Sequence, residues 1–229
     1  MSEVTLFETK DGSSSLLNTE LNETYHSTHG ALQESIYVFI ERGFAEAIHS
    51  GKKEISILEI GFGTGLNALL TLLEAQRNQV NVAYETLEAY PLPFEIVTKL
   101  NYIQLLADKE GPNVFSLFNS LHTSIWNEPI QIHHHFNLLK RNEDLLMSKF
   151  DKDKFDLVYY DAFAPDKQPH LWELPVLEKV VSALKPGGIF VTYSAKGQLR
   201  RDLIALGLTV KKLPGPPGKR EMIQAIKLV

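Results

Sequence analysis

Cysteine is missing from all 229 residues. Disulfides, thiolate metal centres and cysteine nucleophiles are therefore excluded. No apolar run approaches the roughly 20 residues a helix needs to cross a bilayer. Residues 1–12 hold no basic stretch followed by an apolar one, so no secretory leader is expected. Neither a Gly/Ser-rich nor a Pro-rich linker divides the chain, and no internal repeat is visible. These absences predict one soluble, cytoplasmic α/β domain over residues 1–229, with an N-terminal extension over 1–50 and a core over 51–229.

Net charge is −5, yet residues 185–229 hold nine Lys/Arg against Asp202 and Glu221, a local net of +7 that leaves −12 for the rest. An acidic body argues against a polyanion partner. A basic end on that body is either a phosphate-backbone footprint or a solvated face.

Residues 57–67 read Ile-Leu-Glu-Ile-Gly-Phe-Gly-Thr-Gly-Leu-Asn. A short apolar run ends in Gly61, Gly63 and Gly65, and the apolar pattern resumes at helical spacing through Leu66, Leu69, Leu70 and Leu73. This is a buried strand, a glycine turn and a helix, the first unit of an open α/β sheet. Ligands of such sheets lie outside the carboxyl ends of the strands. A dinucleotide turn wants its third glycine where Leu66 stands. The G-x-G-x-G form with Glu59 two residues ahead resembles motif I of class I S-adenosylmethionine (SAM) methyltransferases.

Along the rest of the chain, residues 4–22 read as a hairpin turning at Asp11-Gly12-Ser13, and 30–49 as a helix weakened by Gly43. Strands follow near 80–87, 130–139, 155–160 and 189–193, with helices over 94–128, 174–184 and 198–206. Two last strands, 210–213 and 222–226, are joined by Pro214-Gly215-Pro216-Pro217-Gly218, too short a link for a crossover, so they are antiparallel. The alternation predicts a doubly wound, mostly parallel sheet. Carboxylates recur at successive strand ends: Glu59, Glu88, Asp144 and Asp161. Such acids suit ribose hydroxyls, an adenine amino group and a fixed sulfonium cation. His133-His134-His135 invites a metal reading, but a strand separates their faces and no third ligand is evident, so no metal is expected.

The most specific segment is Tyr160-Asp161-Ala162-Phe163-Ala164-Pro165, followed by Gln168-Pro169-His170-Leu171-Trp172. It resembles the D-[AG]-F-A-P…P-x-x-W of the methyltransferase domain of the MnmC family and its stand-alone MnmD-like relatives. Supporting segments are Gly61–Asn67, Glu88–Leu92, Lys185-Pro-Gly-Gly188, Thr192–Ala195 with Arg200-Arg201, Gly218-Lys-Arg-Glu-Met222, Tyr25-His26-Ser27, and Glu34-Ser35 through Val38-Phe39. The resemblance implies a Rossmann-like fold of strand order 3-2-1-4-5-7-6 and SAM as cofactor. It also implies methylation of 5-aminomethyl-(2-thio)uridine at tRNA wobble position 34, in the anticodon region. In the two-domain relatives a flavin-dependent oxidase domain makes that amine, and the partners the resemblance implies here are a separate oxidase or upstream wobble-uridine modification enzymes. The cofactor residues it implies are Tyr25, Glu59, Gly61, Phe62, Gly63, Gly65, Asn67, Glu88, Ala89, Asp144, Leu145 and Asp161. Asp161 is also the expected catalytic group, mainly for positioning, since a free aspartate is a weak base. Expected on the substrate side are Phe163, Pro165 and Trp172, with Tyr193, Lys196, Arg200, Arg201, Lys219 and Arg220. Phe163 and Trp172 are candidates to stack an extruded base. Two alternatives stay open: a small-molecule amine methyltransferase or aminopropyltransferase, and a non-catalytic RNA-binding protein.

Overall fold

The computed structural model describes residues 4–49 and 51–228. Eight strands form the central sheet in the order β10-β11-β9-β8-β4-β5-β7-β6. Its middle is parallel: β7 (Phe136–Arg141), β5 (Asn81–Leu87), β4 (Glu54–Ile60), β8 (Phe155–Tyr160) and β9 (Leu184–Thr192). Beyond them β11 (Glu221–Lys227) and β10 (Leu208–Pro214) pair antiparallel, with β11 also antiparallel to β9. Numbered along the core alone, this is the expected order 3-2-1-4-5-7-6, with β6 (Pro129–His133) added at the edge.

Strand β4 shows why the centre reads as a nearly continuous apolar run. Ile55 and Ile57 enter one core and Leu58 and Ile60 the other, so both faces are covered. The first core takes Leu69 and Leu72 of α3 (Leu66–Asn78) and Leu117 and Leu121 of α6 (Asn113–Thr123). Short helices α4 (Phe94–Val97) and α5 (Tyr102–Glu110) precede α6. The second core takes Leu177 and Val180 of α7 (Leu174–Ala183) and Leu199 and Leu203 of α8 (Gly197–Ala205).

The N-terminal residues form a small sheet, β1 (Val4–Glu8), β2 (Ser14–Asn18) and β3 (Glu23–Thr24). A continuous helix then runs through α1 (Ala31–Ser35), a π-helical stretch (Ile36–Phe44) and α2 (Ala45–Ile48). Val38, Phe39 and Phe44 join the first core, so this extension shares its interior with the sheet. Gly43 serves packing here. A Cβ on it would lie 2.9 Å from Tyr159 Cε1, so the helix can cross the sheet only without one.

One expected strand is corrected. Residues 130–139 are the hairpin β6–β7, with His134-His135 at its turn and a register shift between Gln131 and His133. No glycine, proline or asparagine marks that turn. The three imidazoles cluster with their rings tilted by 48° and 47°, neighbouring centroids lying 3.9 and 4.0 Å apart. Among the described residues no cluster of three or more His, Cys, Asp or Glu is arranged to hold a metal. No helix among them is long and apolar enough to cross a membrane.

Candidate active site

At the end of β4 the chain turns through Gly61, Gly63 and Gly65 at φ of 93°, 50° and 71°. L side chains rarely adopt this region. Space also excludes them: a Cβ on Gly61 would sit 2.8 Å from the Asp161 carbonyl oxygen, and one on Gly65 2.6 Å from His122 Nε2. The amides of Gly61 and Phe62 donate to the Leu87 carbonyl at 3.0 and 3.2 Å, which ties the turn to the end of β5. A cleft of about 1130 Å³ opens above the turn and the neighbouring strand ends.

Ten of the expected cofactor residues line this cleft: Tyr25, Gly61, Phe62, Gly63, Asn67, Glu88, Ala89, Asp144, Leu145 and Asp161. Glu88 is fixed by the Gly63 and Tyr90 amides, both donating to its carboxylate at 3.0 Å. Burial pushes its pKa up and those two bonds oppose the shift. Each oxygen keeps a lone pair for a further donor. Asp144 is exposed and accepts the Leu146 amide at 2.8 Å, capping the turn that buries Leu145. Tyr25 covers Gly63 and meets Phe163 edge-on at 5.0 Å. The Phe62 ring packs away from the turn, against His122 and Trp126.

Glu59 and Gly65 do not line the cleft. Glu59 is fully buried beneath the turn and accepts the Thr86 hydroxyl at 2.7 Å. It therefore stands behind the cleft wall, outside the lining. Burial pushes it up to about 8, opposed by polar groups of Thr86, Asn67 and Tyr84, so it carries a proton at neutral pH. Its Oε1, the Tyr84 hydroxyl and Asn67 Oδ1 are buried without a partner of full hydrogen-bond geometry. The proton on Glu59 gives that cluster a donor.

Asn67 Nδ2 donates to Asp161 Oδ2 at 2.8 Å, fixing the carboxylate at the cleft's inner end. Burial, then the negative charge of Glu34, push Asp161 well above the usual carboxylate range, against Asn67 and Lys219. Its low free-residue basicity is the sequence expectation that the fold changes. Tyr193 donates to the Ala162 carbonyl at 2.8 Å and so braces the backbone next to Asp161.

On the substrate side Phe163, Tyr193 and Lys219 line the cleft, whereas Pro165 lies outside it. Trp172 is corrected. It is buried, its Nε1 donates to the Phe163 carbonyl at 2.8 Å, and its ring packs on Tyr160, so it staples the loop and cannot stack a base. Lys219, expected on the substrate side, reaches into the cleft. Its Nζ is 3.7 Å from the Tyr193 ring centroid and 2.5 Å from Glu34 Oε1, inside the cleft wall. Lys196 is exposed and paired with Asp166, and Arg200, Arg201 and Arg220 are exposed outside the cleft lining. Glu34 is one of the cleft residues missing from the expected site. It is buried, accepts the Ser27 amide at 2.6 Å and faces Lys219. The matching Glu34-Ser35 pair carried the only signal of it.

A family model described as S-adenosyl-L-methionine-dependent methyltransferase matches residues 130–228. The chain is 29% identical over 217 residues to the tRNA 5-methylaminomethyl-2-thiouridine biosynthesis bifunctional protein MnmC of Nitrosospira multiformis, covering 91% of this chain and 35% of that protein. The MnmC of Paracidovorax citrulli is 27% identical, with 91% and 33% covered. The chain thus spans about a third of the length of the curated relatives it matches. The crystal structure of MNMC2 from Aquifex aeolicus superposes with a TM-score of 0.78 at 24% identity, covering 100% of this chain and 71% of that one. A CurJ carbon methyltransferase shares the fold more distantly, at a TM-score of 0.51 and 15% identity over 90% of this chain and 57% of that one. In sequence the chain is similar to the matching third of the MnmC proteins, and in fold to MNMC2 and, more distantly, to the CurJ carbon methyltransferase.

Proposed function

We propose that the chain methylates the primary amine of 5-aminomethyl-(2-thio)uridine at the tRNA wobble position, giving 5-methylaminomethyl-(2-thio)uridine. The observation that carries this reading is Asp161, clamped by Asn67 at the inner end of the cleft beside the glycine turn, in the segment that resembles the MnmC family. A cytoplasmic location, a tRNA partner and a separate oxidase supplying the amine belong to the same proposal. So does the division into an extension over 1–50 and a core over 51–229.

The residues present fit SAM. Gly61, Gly63 and Gly65 carry no Cβ at three positions of the turn, and Glu88 offers free lone pairs at the second strand end, where a ribose presents two hydroxyls. SAM bound here would supply an electrophilic methyl group for the amine lone pair, with a neutral thioether as the leaving group. Asp161 accepts a hydrogen bond from the amine and aims its lone pair. With its pKa raised, Asp161 is also a stronger base than a free aspartate for the proton that nitrogen sheds. Phe163 and Tyr193 wall the place of the acceptor base.

Nucleoside mass spectrometry of bulk tRNA from cells with and without the protein tests this. Loss of the methylaminomethyl nucleoside with accumulation of its aminomethyl precursor is expected. An unchanged nucleoside profile, or purified enzyme that methylates spermidine but not amine-bearing tRNA, would reject it.

A further inference from the structure

The described lining of the cleft includes seven carboxylates, Glu20, Glu23, Glu34, Glu88, Glu143, Asp144 and Asp161, against one lysine and no arginine. Such a field attracts cations and holds an amine in its protonated form. That conflicts with methyl transfer, because an ammonium has no lone pair and a free alkylamine has a pKa of about 10. The single lysine, Lys219, lies over Tyr193, whose hydroxyl donates to the Ala162 carbonyl next to Asp161.

Lys219 is held there by unrelated parts of the chain. Its Nζ pairs with Glu34 of α1 at 2.5 Å and lies over the ring of Tyr193, which follows β9. Tyr193 in turn braces Ala162, next to Asp161. The groups that face Lys219 are Glu34 of α1, Asp161 after β8, Tyr193 after β9, and His26 and His29 of the segment before α1. Of these, Asp161 and His26 feel its charge directly, and His29 abuts Gly218. Glu23 of β3 acts on Tyr193 from further out, and Arg220 and Glu221 flank Lys219 on its own loop.

We propose that Lys219 selects the neutral form of the acceptor amine: its fixed positive charge beside Asp161 offsets the acidic cleft where the nucleophile must be unprotonated. The inference rests on an amine acceptor, as in the function proposed above. It predicts opposite effects for the two halves of one ion pair. Lys219→Met leaves Glu34 negative and favours an ammonium. Glu34→Gln leaves Lys219 positive and disfavours one. A structural tether would instead be weakened alike by either change.

Sinefungin, a SAM analogue with an amine in place of the methyl-sulfonium, probes this without any tRNA. Its affinity is measured by calorimetry at neutral pH relative to S-adenosylhomocysteine, which has no such amine and reports the integrity of the fold. Lys219→Met should raise the sinefungin preference about tenfold, the equivalent of one pKa unit. Glu34→Gln should lower it, and Lys219→Arg should keep the parent ratio. The Lys219→Met effect should persist in an Asp161→Asn background; its disappearance there would mean that the charge acts through Asp161, and the proposal would fall. In single turnover on amine-bearing tRNA, the acid limb of the pH–rate profile should move up by about one unit in Lys219→Met and down in Glu34→Gln. Unchanged ratios, or shifts in the same direction for both variants, would overturn the role of Lys219. A parent enzyme that transfers no methyl to this tRNA would overturn the proposed function, while the sinefungin ratios would still decide the role of Lys219.

Discussion

The site depends on acids whose environments differ sharply. Glu88 is exposed enough to meet a ligand and is fixed by two amides, whereas Glu59 is sealed under the turn with a buried cluster around it. Glu59 sits at about 8 in the folded chain against 4.5 for an ordinary glutamate. Between those values the folded state keeps a proton that the unfolded chain has lost, so stability falls as pH rises through that window. Glu59→Gln keeps the shape and removes this dependence. Its stability relative to the parent should grow from pH 5 to pH 8 by up to about 1.4 kcal/mol per pH unit. Urea unfolding across that range checks it. Asp161 and Glu88, shifted the same way, retain their own slope in both proteins. A parallel pH dependence in the two proteins would place the Glu59 proton elsewhere.

Among the elements, the N-terminal helix has the tightest fit. Gly43 faces Tyr159 Cε1 and Val191 Cγ2, which a Cβ would approach to 2.9 and 3.2 Å. Tyr159 is fully buried and its hydroxyl lies 3.3 Å from Thr71, so it has little room to yield. Alanine improves helix propensity by about 1 kcal/mol, but overpacking costs about 1–3 kcal/mol. Gly43→Ala should therefore lower Tm by a few degrees, and a calorimetric scan showing a rise would disprove the close crossing. The sequence contains that glycine but not its reason, because the contact joins residues more than a hundred positions apart. By contrast, the strands at 54–60 and 155–160 and the glycine turn were legible, since period and turn chemistry are local. The β6–β7 turn was not, because three histidines give no turn signal. The tail behaved similarly: its antiparallel end was readable from loop length, while the inward turn of Lys219 depends on Glu34, far away in the chain.

Across the whole molecule, the basic tail is smaller as a footprint than its net of +7 suggests. Five of its nine cations are engaged in ion pairs: Lys185 with Asp156, Lys196 with Asp166, Lys212 with Glu221, Lys219 with Glu34 and Lys227 with Asp153. Lys227 also caps the end of α7 through the Ser182 and Leu184 carbonyls, a helix-terminus role far from any rim. Arg200, Arg201, Lys211 and Arg220 remain outside ion pairs among the described residues. Of these, Arg200 and Arg201 lie in the first turns of α8, just after β9, and Arg220 lies in the loop after β10. Both positions are on the carboxyl rim that carries the cleft. An acidic body repels RNA, so a tRNA backbone should be held by these arginines and little else. Replacing all three by alanine should weaken tRNA binding and leave S-adenosylhomocysteine binding unchanged. It should also flatten the log–log salt dependence by about 0.7–0.9 for each phosphate that is no longer neutralised. Affinities measured across a salt series decide it. Coincident slopes for parent and triple variant would mean that the tRNA approaches elsewhere and that this rim is a solvated face.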